Sequence, residues 1–225
     1  MKFSIPRKAM GFRLGLAIGC IASFSHLNAL ADTLSFNQIF SDKNEGKRLH
    51  YQATVTAQGE DHELQVWRDG ERRLKRRTDD RIEIYASRKP GDAEYSMSIL
   101  DLKKHIHTRI DRTNLYRIGN FTDWFDLAHG LKHPKGDYRL LATNAPTKAP
   151  AALDACKWYD LTQADHTTHI CWSQRYRIPM LIMTSDTQVV WRVTALDEKP
   201  LPADTYVIRD EGYIHNDANQ DIEKD

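Results

Sequence analysis

Apolar and polar residues alternate along most of the chain, and this period of two predicts β-strands. The segment LHYQATVTA, residues 49–57, places Leu49, Tyr51, Ala53 and Val55 on one face. Turn-forming sequences such as QGED, KPGD and an Asp-Gly pair separate this segment from similar ones. The first half of the chain therefore predicts six antiparallel strands, at residues 49–57, 62–67, 71–78, 81–87, 93–100 and 105–110.

Helical spacing replaces this alternation in the middle of the chain. In NFTDWFDLAHGLKH, residues 120–133, apolar side chains recur at helical intervals between Trp124 and Leu131. Thr122 is a suitable N-cap, and Pro134 ends the segment. A shorter helix with Ser35 as its N-cap is predicted before the first strand. The chain thus offers two short helices to cover a sheet.

Strand-like segments resume after the second helix. They are residues 137–143, 156–162, 168–172, 180–185, 189–196 and 205–208. The Pro- and Ala-rich segment NAPTKAPAALDA predicts a surface loop, and the polar residues 215–225 predict a flexible tail. We therefore expect one mainly β (α+β) domain over residues 32–214, with an antiparallel sheet of about eleven strands whose apolar face is covered by the helices.

Residues 1–31 have the three parts of a secretory signal peptide. Four basic residues precede the apolar run LGLAIGCIASF, and Ala29 and Ala31 provide a small-x-small cleavage site. The apolar run is shorter than the roughly 20 residues of a membrane-spanning helix. The sequence therefore predicts export to the periplasm of a Gram-negative type of envelope. An alternative leaves Cys20, in AIGC, as the acylated first residue of a lipoprotein.

Cys156 and Cys171 are the two cysteines that remain after such cleavage. In an oxidising compartment this pair is expected to form a disulfide, and the absence of CxxC spacing argues against redox chemistry. Both residues fall on consecutive predicted strands joined by a turn near TQAD. The bridge is therefore expected to be structural and to cross the open end of a hairpin.

The formal charge of the chain is +1, and removal of residues 1–31 would make it slightly acidic, which argues against nucleic acid as a partner. One segment, RRLKRR, is nevertheless strongly basic. Its five cations predict a contact surface for lipid headgroups or an acidic partner. They are Arg72, Arg73, Lys75, Arg76 and Arg77. The alternative is a solvated strand face that protects a sheet edge.

Two pairs of histidines have spacings that allow shared metal binding. His105 and His107 lie on one face of a predicted strand, and His129 and His133 are four residues apart in the predicted helix. We identify no acidic or cysteine third ligand beside either pair, so we expect no metal and no cofactor. The sequence contains no GxSxG, HExxH or Gly-rich phosphate-binding motif. We therefore expect no enzymatic activity.

The order of elements resembles the LolA-like superfamily of periplasmic outer-membrane lipoprotein carriers and their relatives. The resemblance covers most of residues 33–214, namely a short helix, a run of antiparallel strands, an inserted helix, and final strands in RIPMLIM…TQVVWRVTALDEKPLPADTYVI. The cysteine pair followed by Pro179-Met180-Leu181 also fits the superfamily. The resemblance implies a strongly curved sheet that forms an unclosed half-barrel, with short helices over its concave face.

Such a half-barrel implies a concave cavity for acyl chains or a lipidated protein. Nine apolar residues are expected to line it, namely Leu64, Val66, Ile82, Ile84, Met97, Ile99, Met180, Ile182 and Trp191. The alternative is that these residues only form a packed core. We therefore predict a lipid- or lipoprotein-binding module, such as a carrier in lipoprotein or lipid sorting, with peripheral membrane contact at most. The alternative function is a regulatory sensor of the same fold that binds a membrane-anchored protein partner.

Overall fold

The computed structural model describes residues 33–70, 72–117, 123–184 and 188–222, which contain twelve strands and four short helices. The strands are β1 (Arg48–Ala57), β2 (Glu60–Asp69), β3 (Arg73–Thr78), β4 (Ile82–Ser87), β5 (Ser96–Asp101), β6 (Ile106–Asp111), β7 (Arg139–Thr143), β8 (Lys157–Gln163), β9 (His166–Ser173), β10 (Ile178–Met183), β11 (Val189–Asp197) and β12 (Ile214–Asp217). The helices are α1 (Phe36–Ile39), α2 (Arg112–Arg117), α3 (Trp124–His129) and α4 (Ala218–Ile222). The predicted signal peptide and Cys20 lie outside the described residues.

All twelve strands join one mixed sheet in the order β12-β6-β5-β4-β3-β2-β1-β11-β10-β9-β8-β7. Strands β1 to β6 form one meander, β7 to β11 form a second, and β1 pairs with β11 where the two meet. Every pairing is antiparallel except that of β12 with β6, which is parallel. Because β7 and β12 are the two edges, the sheet is not closed. The predicted mainly β fold with an unclosed sheet is confirmed, with twelve strands rather than about eleven.

Two predictions near the C-terminus are wrong. Residues 205–208 form no strand, because the amides of Thr205 and Val207 donate to turns within their own segment. Residues 214–217 form β12 and residues 218–222 form α4, so the predicted flexible tail is ordered as far as residue 222. Backbone hydrogen bonds to β6 hold this tail in place. A polar side-chain pattern gives no sign of such bonds.

The hydrophobic core consists of two clusters of buried residues. The larger cluster joins β1, β2, β10 and β11 to Trp124, Leu127 and Ala128 of α3. The smaller cluster packs α1, through Phe36 and the adjoining Phe40, against β7, β8 and β9. No helix within the described ranges is long and apolar enough to cross a membrane.

The N-cap of α3 is Asp123, whose side chain accepts a hydrogen bond from the backbone amide of Asp126. The predicted N-cap, Thr122, lies outside the described residues. Ser35 occupies the predicted N-cap position of α1 but makes no side-chain capping hydrogen bond. α3 ends at Gly130, which adopts the left-handed conformation that glycine reaches without steric cost.

Candidate functional site

A row of cross-strand neighbours runs across β2 to β6. Val66 lies opposite Arg76, Arg76 opposite Ile84, and Ile84 opposite Ile99. Thr108 of β6 completes the row. Directly opposed residues project from the same face of a sheet, so these five side chains lie side by side. We call this set the Arg76 row, and the face that carries it the inner face.

The nine predicted lining residues fall into two groups. Five are buried in the hydrophobic core, namely Leu64, Val66, Met97, Met180 and Trp191. Four are only partly buried, namely Ile82, Ile84, Ile99 and Ile182. The alternative of a packed core therefore describes the first group. Of the second group, Ile84, Ile99 and Ile182 pack against the edge of the core and leave part of their apolar surface exposed.

A buried ionic network ties α3 to the sheet. Oε2 of Glu45 lies 2.8 Å from Nε2 of His129 and 3.4 Å from Nη2 of Arg68. Nη2 of Arg68 also donates to the carbonyl oxygen of Tyr176 at 2.8 Å. The side chains of Glu45, Arg68 and His129 are only 7%, 1% and 0% exposed. Charges at this depth require partners of opposite sign, so the network fixes the position of α3 over β2.

Burial and the nearby charges determine the protonation of this network. Burial lowers the pKa of His129, and the charge of Arg68 lowers it further against the opposing effect of Glu45. Burial alone would raise the pKa of Glu45, but the His129 hydrogen bond and the Arg68 charge outweigh burial and lower it. Glu45 is therefore the anion that balances Arg68.

The hydrogen bonding of the network is incomplete. Oε1 of Glu45, and Nε and Nη1 of Arg68, are buried without a hydrogen-bond partner among residues 33–70, 72–117, 123–184 and 188–222. Water would satisfy these atoms if α3 moved away from the sheet. Hydration of these atoms would offset part of the free energy lost when the movement of α3 breaks the contact between Glu45 and His129.

His129 and His133 do not share a ligand. Nδ1 of His133 lies 2.6 Å from Oδ1 of Asp126 and 3.2 Å from Oδ2 of Asp123, and its Nε2 lies 2.8 Å from Oδ1 of Asn37. The hydrogen bonds to the carboxylates of Asp123 and Asp126 raise the pKa of His133 to about 9. An imidazole that is protonated on both nitrogens has no lone pair for a metal. His133 joins α3 to α1, and the structure places Asp123 and Asp126 beside it, where the sequence indicated no acidic neighbour.

The structure divides the basic segment between the two faces of β3. Arg73, Lys75 and Arg77 lie on the outer face, and each forms an ion pair with an aspartate or glutamate. Arg76 lies on the inner face, where burial lowers its pKa. Arg72 is exposed in the turn before β3. The five cations therefore do not share one face, because successive strand residues face opposite sides, and their contact with an anionic partner stays a prediction.

The segment between β11 and β12 lies against the outer face. The guanidinium of Arg73 lies 4.5 Å from the ring centre of Tyr206, and Nδ1 of His107 lies 2.6 Å from Oδ2 of Asp210. A cavity of about 410 Å³ remains between this segment and strands β2 to β4. A second cavity, of about 640 Å³, opens near the ends of β4 and β5. Charged and hydroxyl side chains contribute to both linings, which differ from the apolar pocket that an acyl chain requires.

Cys156 and Cys171 form the predicted disulfide, with their Cα atoms 5.3 Å apart. Cys171 lies in β9 opposite Trp158 of β8, and Cys156 immediately precedes β8. The bridge therefore crosses the hairpin at the end opposite its turn, as predicted. The Arg76 row lies on different strands, so the bridge supports the fold rather than this row.

Sequence reasoning missed two groups of charged residues. Glu45 precedes β1 and Arg68 lies in β2, whereas His129 lies in α3, which follows β6. Of the three residues, only His129 carried a sequence signal, namely its place in the predicted helix. Asp210 and His215 contact His107, but both were assigned to segments without a role. An Asp and a His that follow the last apolar strand segment were the only sequence signal for this second group.

The chain matches no protein-family model and no curated protein. A function must therefore be argued from the inner face itself. Its distinctive features are the partly exposed isoleucines, the partly buried Arg76 among them, and the helix held over the adjoining core.

Proposed function

We propose that the protein binds an amphiphile on the inner face, either a lipid or the acyl chain of a lipidated protein, and acts as a periplasmic carrier. The observation that carries this proposal is the position of Arg76 between Val66 and Ile84. Nε of Arg76 is buried and has no hydrogen-bond partner in the described part of the chain. A buried guanidinium N–H without a partner is unfavourable, and an anionic headgroup would supply a charge-assisted hydrogen bond to it.

The isoleucines beside Arg76 would receive the acyl chain. Ile84 and Ile99 continue the Arg76 row toward β6. Ile82 and Ile106 lie in the next row of the same face, each opposite Asp101 of β5. Covering this partly exposed surface with a hydrocarbon chain would contribute about 25 cal/mol for each Å² removed from water. Apolar and cationic sites are thus adjacent, as an anionic amphiphile requires.

α3 is the element that would move to admit a larger ligand. Its apolar residues share one core cluster with Leu64 and Trp191, which would extend the open surface if α3 moved away. Hydration of the unpaired atoms of Glu45 and Arg68 would offset part of the cost of breaking the contact between Glu45 and His129. A short ligand would occupy the isoleucines alone, and a longer one would displace α3.

Export and a role in lipoprotein or lipid sorting belong to the same proposal. Export is inferred from the signal-peptide pattern of residues 1–31. The carrier role is inferred from the resemblance to LolA-like carriers in the order of elements. The protein purified from the periplasm should therefore carry lipid; a stoichiometric protein partner in its place would favour the sensor function.

Binding of a fluorescent fatty acid to the purified protein tests the proposal. The probe should bind at micromolar concentration and be displaced by phospholipid, and Ile84→Trp should block it by filling the space beside Arg76. Arg76→Met should weaken binding of the fatty acid about tenfold or more, yet leave binding of the matching fatty alcohol unchanged. Arg72→Met, in the exposed turn, is the control and should bind both like the wild type.

Circular dichroism of each variant would establish that it is folded. Absence of probe binding to the folded wild type would overturn the proposal. Equal binding after Ile84→Trp would place the probe elsewhere and would also overturn it.

A further inference from the structure

We propose that His107, Asp210 and His215 form a binding site for a divalent transition metal, with zinc as the best match. The site lies on the outer face, at the edge of the sheet formed by β12. It is independent of the amphiphile site on the inner face. Each residue offers one ligand atom, and the three atoms lie within 4.8 Å of one another.

The fold assembles these residues from distant parts of the chain. β12 pairs in parallel with β6, and this register places His215 directly beside His107. The backbone amide of Tyr213 donates to the carbonyl oxygen of Asp210 at 3.0 Å, which turns the chain into β12. The turn brings the carboxylate of Asp210 over the two histidines. Backbone geometry, rather than flexible side chains, therefore determines the approach of the three groups.

The distances suit a tetrahedral ion. Oδ2 of Asp210 lies 2.6 Å from Nδ1 of His107 and 3.6 Å from Nε2 of His215. Two atoms bound to one zinc ion at about 2.0–2.1 Å lie roughly 3.3 Å apart, between the two observed values. The ring centres of His107 and His215 are 5.1 Å apart. Two imidazoles on one tetrahedral zinc ion have centres about 5 Å apart, so small side-chain rotations would complete the coordination.

The solvent exposure of the side chain increases from His107 through Asp210 to His215. The side chains of His107, Asp210 and His215 are 13%, 26% and 64% exposed. The ion would therefore be held by the protein on one side and reach water on the other, with solvent in the fourth position. Two imidazoles and one carboxylate are a ligand set that zinc and neighbouring transition metals accept, whereas calcium and magnesium prefer oxygen ligands alone.

A second cluster of histidine and aspartate side chains has different hydrogen bonding. It consists of Asp123, Asp126 and His133. There Asp123 caps α3, and both nitrogens of His133 face oxygen acceptors. In the site proposed, Asp210 alone faces two imidazoles. One carboxylate between two imidazoles is a ligand set that a divalent transition metal accepts.

A bound ion would attach the segment between β11 and β12 to β6. His107 is separated from Asp210 by 103 positions in the chain, so the ion would link distant segments. Because the ligands come together only in the folded chain, the metal would stabilise the fold by mass action. The C-terminal segment would then be protected from proteolysis in the presence of metal.

Zinc titration of the untagged, chelator-treated protein by calorimetry tests the site, with the absorption spectrum of bound Co²⁺ as a second readout. One ion should bind per chain, raise the melting temperature, and give the visible bands of tetrahedral Co²⁺. His215→Gln should weaken binding more than about tenfold and abolish these bands. The side chain of His215 is largely exposed, so this variant should still fold. Asp210→Asn should have the same effect.

His105→Gln is the matched control, because His105 lies beside His107 but stacks on Tyr213 instead of joining the cluster. It should bind zinc and Co²⁺ like the wild type. The proposal fails if the wild type binds no stoichiometric ion. It also fails if His105→Gln loses as much affinity as His215→Gln, which would indicate adventitious binding to surface histidines.

Discussion

Gly130 lies against the indole ring of Trp191, so closely that a methyl group at Gly130 would be 2.6 Å from the Cη2 atom of the ring. The ring cannot easily give way, because it is buried and its Nε1 donates to the carbonyl oxygen of Pro179 at 2.8 Å. α3 can therefore end directly over β11 only because residue 130 has no side chain. This contact and the Glu45–Arg68–His129 network together position α3 over the core.

Gly130→Ala should destabilise the protein by about 1–3 kcal/mol more than Gly136→Ala does. Both glycines have positive φ angles, so both substitutions carry similar backbone strain. Gly136 has open space where its Cβ would lie, whereas Gly130 has the Trp191 ring. Urea unfolding of the two variants measures the difference. Equal unfolding free energies would show that the Trp191 ring moves aside without cost.

Much of the fold could be predicted from the sequence, because the sheet has one apolar face. The alternation of Leu49, Tyr51 and Ala53 predicts β1, and all three are buried. Strands whose apolar residues alternate in this way were found at the predicted places. β12 was missed because its residues are held by backbone hydrogen bonds to β6, which leave no side-chain pattern.

The candidate sites were less predictable, since they depend on the register between strands. The sequence singles out the basic segment, but only the pairing of β3 with β2 and β4 places Arg76 between Val66 and Ile84. The nine apolar residues were correctly assigned to strands. Their division into buried and partly exposed groups depends on where α3 packs, and the sequences of the strands do not indicate this position.

The unfolding free energy should fall as the pH rises from 6.5 toward 9, because of His133. Its pKa is raised by Asp123 and Asp126 from 6.5 to about 9 in the folded protein. The folded state therefore holds the proton more tightly than the unfolded state. The resulting stabilisation is complete below the unfolded pKa and is lost as the pH passes through the folded pKa.

The expected loss is about 1 kcal/mol, after allowance for the partial exposure of the pair. Denaturant unfolding of the wild type and of His133→Gln at a series of pH values provides the measurement. The difference in stability between the two proteins should shrink as the pH rises through this window. A difference that stays constant would mean that His133 titrates alike in the folded and unfolded states.

Replacing both Cys156 and Cys171 by Ala should lower the melting temperature and leave binding of the fatty-acid probe intact. The bridge closes a loop with a sequence separation of 15, for which the chain-entropy contribution is about 3 kcal/mol. It lies on β8 and β9, away from the Arg76 row on β2 to β6. Thermal unfolding and probe titration of the double variant provide the test. Free thiols at both positions in the purified wild type would contradict the prediction.

Glu45→Gln should be far more destabilising than Glu198→Gln, although both glutamates pair with an arginine. The Arg68 and Glu45 side chains are almost fully buried, whereas those of Arg175 and Glu198 are 66% and 43% exposed. Loss of the Glu45 charge leaves Arg68 as an uncompensated buried cation, which costs about 3–5 kcal/mol. Loss of Glu198 leaves Arg175 in water, so the effect should lie within the error of the measurement.

The two variants also separate the anchoring of α3 from general stability. Since Glu45 links His129 of α3 to Arg68 of β2, Glu45→Gln should increase hydrogen exchange at α3 more than at β8 and β9, which lie outside the network. Glu198→Gln should leave the exchange of α3 unchanged. If Glu45→Gln raised exchange equally in α3 and in β8 and β9, the network would contribute to global stability without holding α3 in particular. A local increase at α3 would show that this network holds the helix over the inner face.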